Sequence, residues 1–323
     1  MLCSRVKLSV VVCTRNRAAS LARTLDSLAR TEPPRRADWQ VVVIDNGSSD
    51  DTPQVIERFR VRLPLHASFE PRPGIAHARN AGVAASDGDY LVWTDDDVTV
   101  SGGWLRSYES AIEAHPRVAF FGGPVRVRFV EEPPRWLRKG LPIVATAFAG
   151  IDVRAPVGPV DARSWRLPVT ANMAVGAAHH RAHAFDPQLG RQPWRHGILS
   201  GEETDVLLRI AEAGGTGVWL ADPEVFHWIG RERQTRDYLR SYYVGIGYVG
   251  ARSAIAKGRV PGSSTRRRLT RRAAGQRAAY LIGRMCGRTS LWLAALRREA
   301  QLRGRLLAHR EAAAARAGVG VAR

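Results

Sequence analysis

Two runs near the start of the chain, "KLSVVVCT" (7–14) and "WQVVVID" (39–45), are apolar at successive rather than alternate positions. A strand of that kind has no polar face, so both its sides must be covered, as happens in parallel sheets sandwiched between helices. The segments between the runs supply those helices. "SLARTLDSLART" places Leu21, Leu25 and Leu28 at helical spacing behind Ser20 as N-cap, and Pro33-Pro34 closes the helix. "TPQVIERF" (52–59) opens the next, with Thr52 as cap and Pro53 at the first helical position. A short strand near 64–70 leads to a helix in "IAHARNAGVAAS", and "DYLVWT" (89–94) is a further strand. The order strand, helix, strand, helix predicts an α/β fold: a Rossmann-like, mostly parallel sheet with helices on both faces.

Ligands of such sheets bind at the carboxyl ends of the strands. Each strand here delivers polar groups at that end: Thr14 to Arg17, Asp45 and Asn46, and Asp95, Asp96 and Asp97. Three adjacent carboxylates at the mouth of a core cost both repulsion and desolvation, which a bound cation offsets. An exposed turn is the plain alternative. "DDDVT" also fits a D-x-D-x-T phosphatase pattern with Asp95 as nucleophile, but that motif belongs after the first strand of its domain, and earlier strands precede it here.

The second half is less regular. Strands are expected within 118–130 and 170–175, while "EEPPRWLRKGLP" (131–142) and "FDPQLGRQ" read as loops. In "GEETDVLLRIAEAGG" Val206, Leu207 and Ile210 give a helix its apolar face, Gly214-Gly215 end it, and "TGVWLADPEVFHWI" is extended. Beyond residue 233 the chain reads as helical and basic. Residues 1–230 hold 27 Lys/Arg against 26 Asp/Glu, whereas residues 231–323 hold 22 against 4. A basic region of this kind meets an anionic membrane surface or nucleic acid, or is a solvated helix face. No stacking-aromatic or recognition-helix pattern supports nucleic acid. Three scattered cysteines exclude a disulfide framework and a cysteine zinc site. With no secretory signal and no apolar stretch approaching the roughly 20 residues of a membrane span, the expected location is the cytoplasm, either free or, through the basic region, peripheral on the inner face of the plasma membrane.

Taken together, "SVVVCTRNR", "VVVIDNGSSDDT", "GIAHARNAGVAASDGDYLVWTDDD", "GEETDVLLRIAEAGG" and "PEVFHWI" resemble, in order over residues 6–245, a family 2 glycosyltransferase of the inverting, nucleotide-sugar-dependent kind with the GT-A fold. The resemblance implies a catalytic domain over 1–232, with a nucleotide-binding half (1–100) and a sugar and acceptor half (101–232). A basic helical extension follows over 233–323, its last dozen residues disordered. It further implies a nucleotide-diphosphate sugar donor, a glycan, lipid-linked or small-molecule acceptor, and Mn²⁺ or Mg²⁺. Asp97 would be the direct metal ligand with His227 a further metal or phosphate contact. Asp95 or Asp96 would meet the ribose and metal-bound waters. Thr14 and Arg17 would form the base pocket, Asn16 would belong to the same donor-nucleotide site, Asp45 or Asn46 would read the base edge, and Arg79 would reach the base or pyrophosphate. Asn172 and Met173 fall where the family lines the donor-sugar pocket. The family's Glu-Asp pair is Glu202-Glu203 here, so Glu203, one methylene longer, stands where the catalytic base is expected, with Glu202 as the alternative. The competing reading is a non-catalytic anion- or membrane-binding protein on a transferase scaffold, and the Glu203 substitution is the feature that favours it.

Overall fold

The computed structural model describes residues 5–151, 158–160, 167–190, 192–194, 197–258 and 263–316. In chain order the elements begin with β1 (Lys7–Thr14), α1 (Ala18–Arg30), β2 (Asp38–Asp45), α2 (Thr52–Phe59), β3 (Leu65–Phe69), α3 (Ile75–Ala85) and β4 (Tyr90–Asp95). Next come β5 (Val98–Val100), α4 (Trp104–Ala114), β6 (Phe120–Gly122), β7 (Val125–Phe129), α5 (Arg135–Val144) and β8 (Gly158–Pro159). Then follow β9 (Met173–Gly176), α6 (Ala177–Ala182), β10 (Gln192–Trp194), β11 (Gly197–Leu199), α7 (Glu202–Glu212), β12 (Gly217–Trp219) and β13 (Val225–Ile229). Three helices close the order: α8 (Arg236–Ala256), α9 (Ser263–Met285) and α10 (Thr289–Arg316). Two compact units result. One comprises Met1–Arg128, Ala149–Gly190 and Glu202–Trp228; the other comprises Phe129–Phe148, Arg191–Gly201 and Ile229–Arg323.

The first unit is built on an eight-stranded sheet of order β3-β2-β1-β4-β9-β6-β12-β8. β1 pairs in parallel with both β2 and β4, and β2 with β3, as the continuous apolar runs require. Along β1 the side chains alternate between two buried cores. Val10 and Val12 join Leu21, Leu25 and Leu28 of α1 and Trp104, Leu105 and Tyr108 of α4 on one face. Val11 and Cys13 join Ala76, Ala78 and Val83 of α3 and Val206, Leu207 and Ile210 of α7 on the other. Each fully buried aliphatic side chain stabilises the fold by roughly 1.5–3 kcal/mol. α3 lies close against the sheet because of Gly82: a Cβ there would sit 2.7 Å from Val11 Cγ1.

β9 departs from the parallel rule, running antiparallel to both of its neighbours, β4 and β6. Asn172, just before it, ties the surrounding loops together. Its Oδ1 accepts from Trp104 Nε1 and Tyr108 OH, both at 2.8 Å, and its Nδ2 donates to the carbonyls of Pro124 (2.9 Å) and Pro223 (2.5 Å).

In the second unit α8 and α10 pack backbone to backbone, since a Cβ on Gly304 would come within 2.0 Å of the Val244 carbonyl oxygen. α5 corrects the expectation of a loop at 131–142. Pro134 caps it, Leu137, Gly140 and Val144 form its buried stripe, and Pro142 falls in its last turn. α10 continues to Arg316, so residues 312–316 of the last dozen are helical rather than disordered, and the remainder lie outside the described residues. Among the described residues no helix is long and apolar enough to cross a membrane.

Candidate active site

The chain runs from β1 outward to β2 and β3, then returns to the other side of β1 as β4, so the sheet reverses direction between β1 and β4. The carboxyl ends of strands at such a reversal form a natural crevice. In the β1–β4 register Cys13 lies opposite Asp95, which sets Thr14 beside the aspartate turn. Thr14 Oγ1 donates to Asp96 Oδ2 at 2.8 Å.

β13 brings the histidine. It pairs antiparallel with β5 so that His227 stands opposite Val98, and the Trp228 amide donates to the Asp97 carbonyl at 2.8 Å. That register puts His227 Nε2 3.0 Å from Asp97 Oδ1, with the histidine side chain 2 % exposed. Asp95, Asp97 and His227 each offer one ligand atom, all within 4.8 Å of one another. Ligands about 2.1 Å from one ion stand at most about 4.2 Å apart, so roughly half an ångström of closure completes the set. Two carboxylate oxygens and one imidazole nitrogen suit Mn²⁺ better than Mg²⁺, which favours oxygen alone.

Arg17, expected at the base pocket, meets the aspartate turn. Its guanidinium donates to Asp97 Oδ2 at 2.8 Å and to Asp96 Oδ1 at 3.2 Å, with 41 % of the side chain exposed. Those two carboxylates raise the Arg17 pKa further, Asp96 most of all. Burial pushes Asp96 up to about 7 against the pull of Arg17, with Asp97 adding to the rise.

Arg79, one turn before Gly82 on α3, is buried and carries the second charge cluster. It forms an ion pair with Glu202, donates to Thr170 Oγ1 at 2.5 Å, and lies 3.8 Å from both Glu203 Oε2 and Asp95 Oδ1. The Phe185 ring lies 5.6 Å from its guanidinium carbon, and Phe185 is clamped in turn by two 2.8 Å hydrogen bonds with the Asn80 side chain. Thr170 and Phe185 escaped sequence reasoning because they reach Arg79 from irregular segments with no motif. Asn80 carried a signal, as the residue following Arg79 in "ARNAG".

Glu202 and Glu203 occupy the first turn of α7, where the helix dipole favours negative charge. Their environments push them apart. Burial opposes ionisation of Glu202, but the Arg79 charge beside it holds its carboxyl below the usual range. Burial and the neighbouring Glu202 charge push Glu203 up to about 8. Glu203 is the more open of the two, with 18 % of its side chain exposed against 3 % for Glu202. Oε2 of each carboxyl is buried without a hydrogen-bond partner among the described residues.

The remaining expected residues divide by geometry. Asn16, at φ 52°, bridges to the next loop: its amide donates to Ser48 Oγ and its Oδ1 accepts from the Ser49 amide. Asn46 is buried, its Nδ2 donating to the carbonyls of Glu70 and Arg72 and its Oδ1 accepting from the Gly74 amide. Asp45 accepts from the Ser48 amide at 2.9 Å. Asn172 and Met173, expected at the donor-sugar pocket, are both fully buried, Asn172 in its four hydrogen bonds and Met173 in the apolar core that includes Val206, Leu207 and Ile210 of α7.

The glycosyl transferase family 2 model matches residues 9–164. The succinoglycan biosynthesis protein ExoM of Rhizobium meliloti is 31% identical over 226 residues, covering 67% of this chain and 66% of that protein. Seven further curated relatives are matched over 17% to 28% of their length. A mannosyltransferase of Pyrobaculum calidifontis, solved with GDP-Man and Mn²⁺, superposes at a TM-score of 0.55 with 20% identity, covering 99% of this chain and 77% of that one. The S. aureus TarS 1–349 structure with UDP gives a TM-score of 0.53 at 18% identity, covering 97% and 92%. With sequence and fold in agreement, this chain belongs to glycosyl transferase family 2 and has the GT-A fold.

Proposed function

We propose that the protein transfers a sugar from a nucleotide-diphosphate sugar to an acceptor hydroxyl by a single inverting displacement, assisted by Mn²⁺ or Mg²⁺. The observation that carries this reading is the placement of Asp95, Asp97 and His227 at the strand reversal, in the same unit as the Arg79–Glu202–Glu203 cluster. A bound divalent cation supplies charge neutralisation for the diphosphate leaving group. The donor complexes of the mannosyltransferase and TarS support a nucleotide donor.

In this reading Asp97 and His227 hold the cation with Asp95, and Asp96, with Thr14 on its carboxylate, meets the ribose. Asp45 reads the base edge, since Asn46 is committed to its own loop; Asn16 holds the loop that borders the base. Glu203 takes the proton of the acceptor hydroxyl while that oxygen bonds to the anomeric carbon. The bond from that carbon to the diphosphate oxygen breaks, and its electron pair leaves with the nucleoside diphosphate. Glu202, held by Arg79, positions Glu203 and tunes its proton affinity. The acceptor is a glycan, lipid-linked or small-molecule hydroxyl. That the Rhizobium relative is a succinoglycan biosynthesis protein supports a saccharide. The basic helical unit is read as the part that meets an anionic membrane surface.

Calorimetric titration of UDP, dTDP and GDP, each with and without Mn²⁺, tests this on wild type and Asp97→Ala. Metal-dependent binding of one nucleotide, lost in the variant, is expected. Failure of folded wild-type protein to bind any of the three removes the reading.

A further inference from the structure

Among the described residues seven large apolar side chains are exposed, and four of them, Leu281, Ile282, Met285 and Leu291, fall within eleven positions around the α9–α10 turn. Met285 is 87 % exposed. The contacts of α9 with its own unit run along the opposite side. Leu269 and Gly283 are its buried positions, and half-buried Ala273, Gln276 and Tyr280 continue the same stripe at helical spacing. About half a turn round the helix from that stripe lie Arg267, Arg271, Ala274, Ala278, Ile282 and Met285. This outer face is therefore basic towards the N-terminus and apolar towards the turn. Across its 23 residues α9 has seven arginines and no carboxylate.

The tip is held in shape. The Arg288 amide donates to the Gly283 carbonyl at 2.9 Å and the Gly287 amide to the Arg284 carbonyl at 3.2 Å, with Gly287 at φ 65°. That double bond with a left-handed glycine is a Schellman closure, which ordinarily gathers nearby apolar side chains into a contact. Here Ile282 and Met285 remain in water. Behind the turn Trp292 is buried, 6.0 Å from the Tyr280 ring and 5.4 Å from the Trp136 ring, with the Arg284 guanidinium 5.8 Å from its indole. Rigid, exposed leucine, isoleucine and methionine side chains flanked by arginines without acidic neighbours are complementary to a surface that is apolar beneath and anionic above.

We propose that the α9–α10 turn is a membrane anchor: Leu281, Ile282, Met285 and Leu291 enter the acyl region of an anionic lipid bilayer while the α9 arginines engage its headgroups. This deepens the membrane reading of the helical unit and is independent of whether the donor site works.

Full-length protein is mixed with vesicles of phosphatidylcholine alone or of equal parts phosphatidylcholine and phosphatidylglycerol, and the bound fraction is measured by sedimentation. Wild type is expected to bind the anionic vesicles, and more weakly as salt rises. Ile282→Glu with Met285→Glu, two exposed positions, should lower that affinity by about tenfold or more while leaving circular dichroism and nucleotide binding unchanged. Arg271→Glu with Arg272→Glu should lower it by at least about fivefold per arginine that reaches the surface. Asp97→Ala should bind vesicles as wild type does, even if it has lost nucleotide, which separates failure of this proposal from failure of the transferase reading. Wild type that ignores both vesicle types overturns the anchor. So does a tip variant that binds as wild type does while only the arginine variant fails, the result expected for a purely electrostatic surface such as one for nucleic acid. Loss of self-association in the tip variant, with no vesicle binding by wild type, would make the patch an interface between copies instead.

Discussion

Glu203→Gln should change how stability depends on pH. In the donor-free protein burial, aided by the Glu202 charge, raises the Glu203 carboxyl from 4.5 to about 8. A folded-state value above the unfolded one means that the fold favours the neutral carboxyl. Its contribution is complete below about pH 4.5 and is lost progressively as pH rises through about 8. At about 1.4 kcal/mol per unit, the loss is on the order of 5 kcal/mol once Glu203 is fully ionised. Glutamine keeps the shape and stays neutral, so the variant escapes this loss. Asp96, raised to about 7, titrates in both proteins and cancels in the comparison. Glu202, held low by Arg79 against the cost of burial, is already ionised across the range. Calorimetric melting of metal- and nucleotide-free protein at intervals from pH 5 to 9 reads the difference. Wild type and variant should melt together near pH 5. By pH 9 the variant should be ahead by roughly 10–20 °C if the full effect appears in a unit of this size. Parallel curves across the range, or a variant less stable than wild type at pH 9, would refute the account of Glu203.

Three other outcomes follow from the same geometry. Glu202→Gln removes the charge that raises Glu203 and leaves Arg79 nearest to it, so the acid limb of the kcat/KM profile should move to lower pH; an unmoved limb means Glu203 is not the titrating base. Arg17→Ala frees Asp96 and Asp97 of their internal cation, and Mn²⁺ affinity without nucleotide, measured by calorimetry, should rise severalfold; unchanged affinity would show that Arg17 does not compete. Gly82→Ala forces a methyl group against Val11 and should destabilise the first unit by roughly 1–3 kcal/mol, read as a lower denaturation midpoint.

The first hundred residues were legible because one physical demand, burial of strands with two apolar faces, dictates both the parallel pairing and the ends at which polar groups collect. Asp95–Asp97, His227 and Glu202-Glu203 could be located by type and order along the chain, although nothing in the sequence shows the β5–β13 register that joins two of them. Elsewhere local signals competed. The prolines of "EEPPRWLRKGLP" hide a helix because Pro133 precedes it, Pro134 caps it and Pro142 falls in its last turn, while Leu137, Gly140 and Val144 kept the helical spacing all along. Asn172 was expected at the site through the family resemblance alone; the donors and acceptors that bury it come from segments far away in sequence, which no local pattern shows. Arg17 was expected at the base through the resemblance, and its ion pairs with Asp96 and Asp97 come from a turn some eighty residues on, so no local pattern shows them.

The position of β9 has a consequence for the order in which the molecule can be made. It fills the gap between β4 and β6, both of which precede it in the chain, so on the ribosome those two strands emerge with no partner to join them. The Asp97 carboxylate likewise waits for His227, 130 residues later. At about 5–20 residues per second the interval is roughly 7–26 s. The edge of β4 stays open until β9 emerges, and the acidic turn stays without its histidine for longer still, so a chaperone would find its binding surface on β4 first, and the Asp95, Asp97 and His227 cluster would close only after the sheet.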